Sequence, residues 1–396
     1  MELSPKAYVT RLFDRAGIHI GGNAPWDIQV NNPRFYRRVL QGSVGLGESY
    51  TDGDWDTPQL DSMIQRLLRT GAPSTAVAGA GRILQNLRSR IANLQTRRGS
   101  RAMAEQHYDL DHRLYTHFLG PHNQYTCCFF DGTDDLRVAE ECKLEMLCEK
   151  LELGPGDRVL DIGSGWGGFV RYAASTRGCS AVGISLSAEQ IAYARKYAAG
   201  FDVEIVRCDY RDLPDRFPAA SFDKILVCGM LEHVGYKNYR RLMKIIHELL
   251  AENGLFLLHT IGNKDVTTIV DPWIEKYIFR NSMIPAMRQI ADAVRGLFVI
   301  QAWENYGYYY SKTLRAWYDN FNRNWPRIME IETRQRFDER FRRMWNYYLL
   351  SCKAAFDVEE LHLWQIVMSK YGVRRDVYRR VITPNRGTGR QQRHAG

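Results

Sequence analysis

The sequence has no run of about 18 or more apolar residues, the length that a membrane-spanning helix needs, so no segment is expected to cross a bilayer. Its opening, MELSPKAYVTRLFDRAG, lacks the apolar core of a secretory signal. Cysteine is short of pattern rather than number. The eight stand scattered at Cys127, Cys128, Cys142, Cys148, Cys179, Cys208, Cys228 and Cys352, with no C-x-x-C pair and no matching histidine pair. This spacing argues against a disulfide-stapled secreted domain and against a thiolate metal centre. A reduced, cytoplasmic protein without a metal site is the expectation. Negative charge is the minority sign, with 45 acidic side chains against 54 lysines and arginines and a formal net charge of +9. Such a surface is attracted to polyanions, either nucleic acid or acidic lipid. The basic clusters are RSRIANLQTRRGSR at 88–101, FRRMW at 341–345 and the final stretch from Arg374 onward.

What the sequence does have is length for one large domain plus an appendage: 396 residues, 45% of them hydrophobic. Residues 1–85 read as a small α+β unit of short segments broken by turns. Residues 86–102 read as a helical connector, 103–385 as the main domain, and 386–396 as a basic tail. From about residue 140 apolar strands alternate with amphipathic helices, as a parallel sheet covered on both faces requires. DRVLDIG, SAVGIS, VEIVRCD, FDKILVCG and GLFLLHTIG supply five strands in order, and FVIQAW and LWQIVMSKYG two later ones. SAEQ at 187–190 has the form of a capping box, with Ser187 accepting from the first helical amides and Gln190 reaching back. Beyond residue 262 the chain turns rich in aromatic residues; 22 tyrosines, 16 phenylalanines and 9 tryptophans are more than an ordinary core needs. This region is expected to cover a ligand.

The stretch VLDIGSGWGGF at 159–169 carries the chemistry. Gly163, Gly165 and Gly168 satisfy the dinucleotide fingerprint G-x-G-x-x-G, a weak signal by itself. A nicotinamide or flavin site wants an acid at the end of the second strand to hold the ribose. Gly183, Ile184 and Ser185 stand there instead, while the acids fall at Asp161, before the bend, and Asp209, after the third strand. That layout suits S-adenosylmethionine, a cofactor with a cationic centre and no pyrophosphate. Gly163, Gly165, Trp166 and Gly167 are then assigned to its methionine and ribose end, Ser185 and Gln190 to the ribose, and Asp209 with Tyr210 to the adenine. Tyr210 either meets the base or packs as a core aromatic.

EQHYDLDHRLY, NQYTCCFFDG, LDIGSGWGG, GMLEHVG, LLHTIG, VDPWIEKYIFRN and YYLLSCKAAF followed by LWQ accumulate along nearly the whole chain. Together they resemble the cyclopropane-fatty-acid synthase family, which includes the mycolic acid cyclopropane synthases. The resemblance implies a class I methyltransferase fold: a doubly wound, mostly parallel seven-stranded α/β sheet with a small N-terminal α+β domain. It implies methylene transfer from S-adenosylmethionine to a cis double bond of an unsaturated phospholipid acyl chain, with a bound bicarbonate as the general base. Cys127, Glu232, His259, Ile261 and Tyr310 match the positions that hold this anion, and Tyr125 and Thr126 fall beside the cofactor. Cys352 matches a cysteine considered catalytic in the family, although a thiolate beside a sulfonium would be alkylated, which favours a role as pocket wall. The resemblance also implies a dimer docked peripherally on the inner face of the bilayer. Two departures stand out: Ser164 where relatives carry cysteine, and Cys128-Phe129-Phe130 after Cys127. Rival readings are methyl branching of an unsaturated chain or other hydrophobic acceptor, and a binding protein that has lost catalysis. Nucleic acid is not an expected partner, because GMLEHV stands where an Asn/Asp-Pro-Pro-aromatic acceptor motif belongs.

Overall fold

In the computed structural model, residues 4–71, 95, 111–266, 270–333, 336–372 and 378 are described. The expected connector at 86–102, apart from Gln95, and the basic tail at 386–396 lie outside them. Residues 4–71 form an α+β unit. Its helices Pro5–Asp14, Arg34–Val39, Ser43–Thr51 and Leu60–Arg69 pack around a two-stranded antiparallel ribbon, β1 (Gln29–Val30) with β2 (Trp55–Asp56).

The main body is a seven-stranded sheet. Its strands are β3 (Arg158–Ile162), β4 (Ser180–Ser185), β5 (Val203–Arg207), β6 (Phe222–Cys228), β7 (Leu250–Asn263), β8 (Phe298–Asn305) and β9 (Leu361–Lys370). Their order is β5-β4-β3-β6-β7-β9-β8, parallel except that β9 runs antiparallel between β7 and β8. All seven expected strands are present. The strand order reverses between β3 and β6, the place where open α/β sheets form a ligand crevice. Strands β3 and β4 are buried almost throughout rather than alternately, because helices cover both faces. Helices Leu136–Lys150, Gly168–Arg177 and Ala188–Tyr197 cover one face, and Tyr236–Leu249 and Met287–Val294 the other.

The aromatic-rich segments do not form one insertion. They divide into Pro272–Tyr277, before β8, and Gly307–Arg323 with Glu339–Asp357, between β8 and β9. These helices join the N-terminal unit in a single hydrophobic cluster that includes Phe13, Phe35, Leu67, Trp273, Trp317 and Trp345. Gly47 marks the closest approach: a Cβ there would sit 2.4 Å from Trp273 Nε1 and 2.8 Å from Tyr347. Polar ties reinforce the seam. Arg343 donates to the carbonyls of Tyr50 and Trp55 and pairs with Asp56, and Arg340 pairs with Asp52. The basic cluster at 341–345 therefore includes an arginine that faces the N-terminal unit rather than a free polyanion-binding surface.

Candidate active site

The glycine bend leaves the carboxyl end of β3 at the switch point. Gly163 has φ +94°, and a Cβ on it would lie 2.9 Å from the Met230 side chain, so the backbone passes where only glycine fits. Gly167 has φ +82°, and a Cβ on it would lie 2.9 Å from the Ala194 Cβ of helix Ala188–Tyr197. A cavity of about 980 Å3 opens beside the bend, lined by Asp161, Gly163, Gly165, Trp166, Tyr125, Thr126 and Gln190. Asp161 is 3% exposed, and its Oδ1 has no hydrogen-bond partner. Burial pushes this carboxyl up to about 7, against the pull of the Lys143 ammonium. Thr126 Oγ1 and Gln190 Nε2 are likewise buried without partners. A buried polar atom without a partner is costly, so three at one cavity mark a place for a polar ligand. They fit a cofactor with a cationic amine and hydroxyls.

Ser187 caps its helix as expected, accepting from Gln190 N at 3.3 Å, but Gln190 does not reach back to the Ser187 amide. Its Oε1 instead accepts from Ser185 Oγ at 2.9 Å, and that hydroxyl accepts from Ser187 N at 3.2 Å. The amide group is thereby turned so that Nε2 is left available. Ser185, Gln190, Asp209 and Tyr210 line an adjoining cavity of about 130 Å3. Asp209 is engaged there: Arg211 donates to it from its backbone N and, at 3.1 and 2.9 Å, from Nη1. Tyr210 OH is buried without a partner.

Glu232, His259, Ile261 and Tyr310 line the same cavity. Glu232 follows β6 in a short 3-10 turn, Leu231–His233, and His259 sits in β7 directly beside Cys228, the last residue of β6. Tyr310 comes from the first turns of helix Gly307–Arg323. The Ile261 amide is not open to a ligand, because it donates to Glu232 Oε1 at 2.6 Å. That bond orients the carboxyl and leaves Oε2 buried without a partner. Burial raises the Glu232 pKa, and the Ile261 amide offsets part of the rise. His259 is 1% exposed; burial holds its pKa well below 6.5, with Lys143 and Lys150 adding to the effect, so the ring is neutral. Its Nε2 has no partner. A neutral imidazole, a phenol and a carboxyl around one space suit a small oxyanion that both donates and accepts hydrogen bonds.

Cys127 does not line this cavity. Its thiol lies 3.2 Å from the Cys128 carbonyl and within reach of Thr313 Oγ1. Cys352 does line it, and burial pushes its thiol up to about 12. At neutral pH it is a thiol, not a nucleophilic thiolate.

Trp166, Tyr125 and Tyr348 line the cavity and belong to a larger aromatic mesh. Trp166 of the bend lies 4.9 Å from Tyr115, which is 5.3 Å from Tyr125; Tyr125 meets Trp317 at 5.3 Å between ring centroids. The Tyr125 and Tyr348 hydroxyls bond to each other at 2.8 Å. From there the cavity continues to Leu12, Phe13, Leu46, Ile64, Leu67 and Leu68 of the N-terminal unit.

Sequence reading missed the buried charges of helix Leu136–Lys150. Glu140 accepts from the amides of His122 and Gln124, Lys143 holds the Gln124 side chain, and Lys150 binds Gln365, the β9 neighbour of His259. Charges stand on every side of this helix, so the sequence carries no signal that marks these three as buried.

Comparison with known proteins agrees with this geometry. Over 360 residues the chain is 45% identical to a cyclopropane-fatty-acyl-phospholipid synthase of Escherichia coli (strain K12), covering 91% of this chain and 92% of the relative. It is 30% identical over 362 residues to the tuberculostearic acid methyltransferase UfaA1 of Mycobacterium tuberculosis (strain ATCC 25618 / H37Rv), covering 85% and 81%. Among solved structures, the cyclopropane synthase MmaA2 from Mycobacterium tuberculosis superposes with a TM-score of 0.61 at 24% identity, over 68% of this chain and 98% of that one. A coclaurine N-methyltransferase gives 0.63 at 20% identity, over 83% and 99%. These likenesses show the class I S-adenosylmethionine-dependent methyltransferase fold. The family described as Mycolic acid cyclopropane synthetase matches residues 95–366, more than half of the sequence: the chain belongs to that family.

Proposed function

We propose that the chain is a cyclopropane-fatty-acyl-phospholipid synthase, an enzyme that transfers a methylene group from S-adenosylmethionine to a cis double bond of a phospholipid acyl chain. The observation that carries this reading is the single cavity, in which unpaired polar groups beside the glycine bend face an aromatic and aliphatic extension. When bound, S-adenosylmethionine supplies an electrophilic methyl on a sulfonium. Asp161 Oδ1 would hold the cationic amine of its methionine part, and Thr126 Oγ1 and Gln190 Nε2 would add polar contacts. The alkene attacks the methyl, the carbon–sulfur bond breaks to leave S-adenosylhomocysteine, and loss of a proton from the added carbon closes the ring. The rings of Tyr125, Trp166 and Tyr348 line the cavity, exclude water and offer faces that tolerate positive charge without trapping it. Glu232, His259 and Tyr310 orient the proton acceptor, for which bicarbonate is the proposed occupant. The acyl chain runs along the cavity towards Leu46 and Leu67, a volume at the upper end of the usual ligand range, about 300–1,000 Å3.

No described helix is long and apolar enough to cross a membrane. We place the protein in the cytoplasm, docked peripherally on the bilayer by its net positive charge and acting as a homodimer. The test is incubation with labelled S-adenosylmethionine and unsaturated phospholipid vesicles, followed by analysis of the acyl chains. Label in cyclopropane rings that survive mild hydrogenation is the expected result; label in a methylidene or methyl branch supports the second reading, which the 30% identity to a tuberculostearic acid methyltransferase favours.

A further inference from the structure

We propose that Lys150 and Gln365 are positioning residues that fix His259 as the neutral tautomer protonated on Nε2, so that an N–H rather than a lone pair faces the cavity. This rests on the reading of His259 as part of the methylene-transfer site.

The direction of each hydrogen bond follows from donor chemistry. A lysine ammonium only donates, so the atom of Gln365 that lies 2.6 Å from Lys150 Nζ is its oxygen. The Gln365 nitrogen is then the atom 3.1 Å from His259 Nδ1. An amide NH2 only donates, so Nδ1 is bare and the ring proton sits on Nε2. Turning the amide over would set two donors against each other in a buried place. Lys150 is itself fixed: its side chain is 0% exposed, it pairs with the Glu304 carboxylate, and it donates to Tyr306 OH at 3.1 Å. That hydroxyl donates in turn to Glu304 at 2.8 Å. Strand register places the set, because Cys228, His259, Gln365 and Glu304 stand in one row across β6, β7, β9 and β8, where neighbouring side chains share a face. His259 in this row lines the cavity, and its Nε2 is without a partner. An N–H there offers a hydrogen bond to an anionic oxygen of the proton acceptor; a lone pair would repel it.

The test is nitrogen-15 NMR of the full chain labelled at histidine, with S-adenosylhomocysteine bound, alongside steady-state kinetics. Wild type should show His259 protonated at Nε2. Gln365→Leu, and the double variant Lys150→Met/Gln365→Leu that strands no ammonium, should populate the Nδ1–H form. Both should lower kcat by about 10- to 100-fold, the size of effect found when a group that orients a metal-ligating histidine is lost. The KM for S-adenosylmethionine should not move. A wild-type proton on Nδ1 overturns the proposal even if neither variant folds. So does full kcat in variants that carry the Nδ1–H form, or a ring that stays protonated at Nε2 in them whatever their activity. His259→Ala separates the two levels: full activity there removes the underlying reading of the site, whereas loss there beside unaffected Gln365→Leu removes only the role of Gln365.

Discussion

The two ends of the cavity are built in opposite ways. At the glycine bend the main functional groups hang from strand ends or the turns that follow them, and sheet register sets their positions: Asp161 is the last residue but one of β3, Ser185 ends β4, and Glu232 follows β6. At the far end the lining comes from helices distant in sequence, Ser43–Thr51, Leu60–Arg69 and Glu339–Asp357, held by apolar packing across the seam. The first end is polar, with several groups left unpaired; the second is mainly apolar. Such a division lets one end fix chemistry while the other fixes which chain enters.

Substitutions should respect that division. The largest effects belong at the polar end: Glu232→Gln and His259→Ala should each lower kcat by about 10²- to 10⁴-fold, the range for groups that assist proton transfer, while calorimetry shows S-adenosylhomocysteine still bound. Next comes Asp161→Ala, which removes a charge-assisted contact of about 1.5–3 kcal/mol and should weaken cofactor binding by roughly 10- to 150-fold. Asp161 also sets a pH dependence. A cationic ligand prefers the ionised carboxylate, so affinity should rise with pH and level off above about 7, releasing a proton on binding. Asp161→Asn should abolish that slope in calorimetry. The sign for stability is opposite, because a raised carboxyl pKa means that this group favours the ligand-free fold less as pH climbs from the ordinary carboxylate range to about 7. At the apolar end, Leu46→Trp should crowd the lining by about 1–3 kcal/mol. It should raise the KM for long acyl chains or redistribute the chains used, with binding of S-adenosylhomocysteine unchanged. Cys352→Ala should do least, since a thiol with a pKa of about 12 contributes wall and not charge; a large fall in kcat in that variant would break the comparison.

The sequence made the first end far more legible than the second. Strands β3 to β7 and the glycine bend are local patterns, and Asp161 stands within the same eleven residues as the glycines. The aromatic region was recognisable as unusual, but not its division by β8 or its contact with the N-terminal helices, because both depend on tertiary packing. Helix Leu136–Lys150 shows the limit best. It reads LRVAEECKLEMLCEK, with charges on every side, so periodicity gives no hint that Glu140, Lys143 and Lys150 are buried. The Ile261 amide and the Gln190 side chain belong to the same class: each has a partner that only the folded backbone brings near, Glu232 for one and Ser185 for the other.

The contact at Gly47 bears on how freely such proteins can be recombined. With the indole of Trp273 and the ring of Tyr347 pressed against a residue that has no side chain, the front piece is not an interchangeable module. A chimera that joins the first seventy or so residues of one relative to the remainder of another must bring matching faces at that seam, and where it does, acyl-chain preference should travel with the pair rather than with either parent alone.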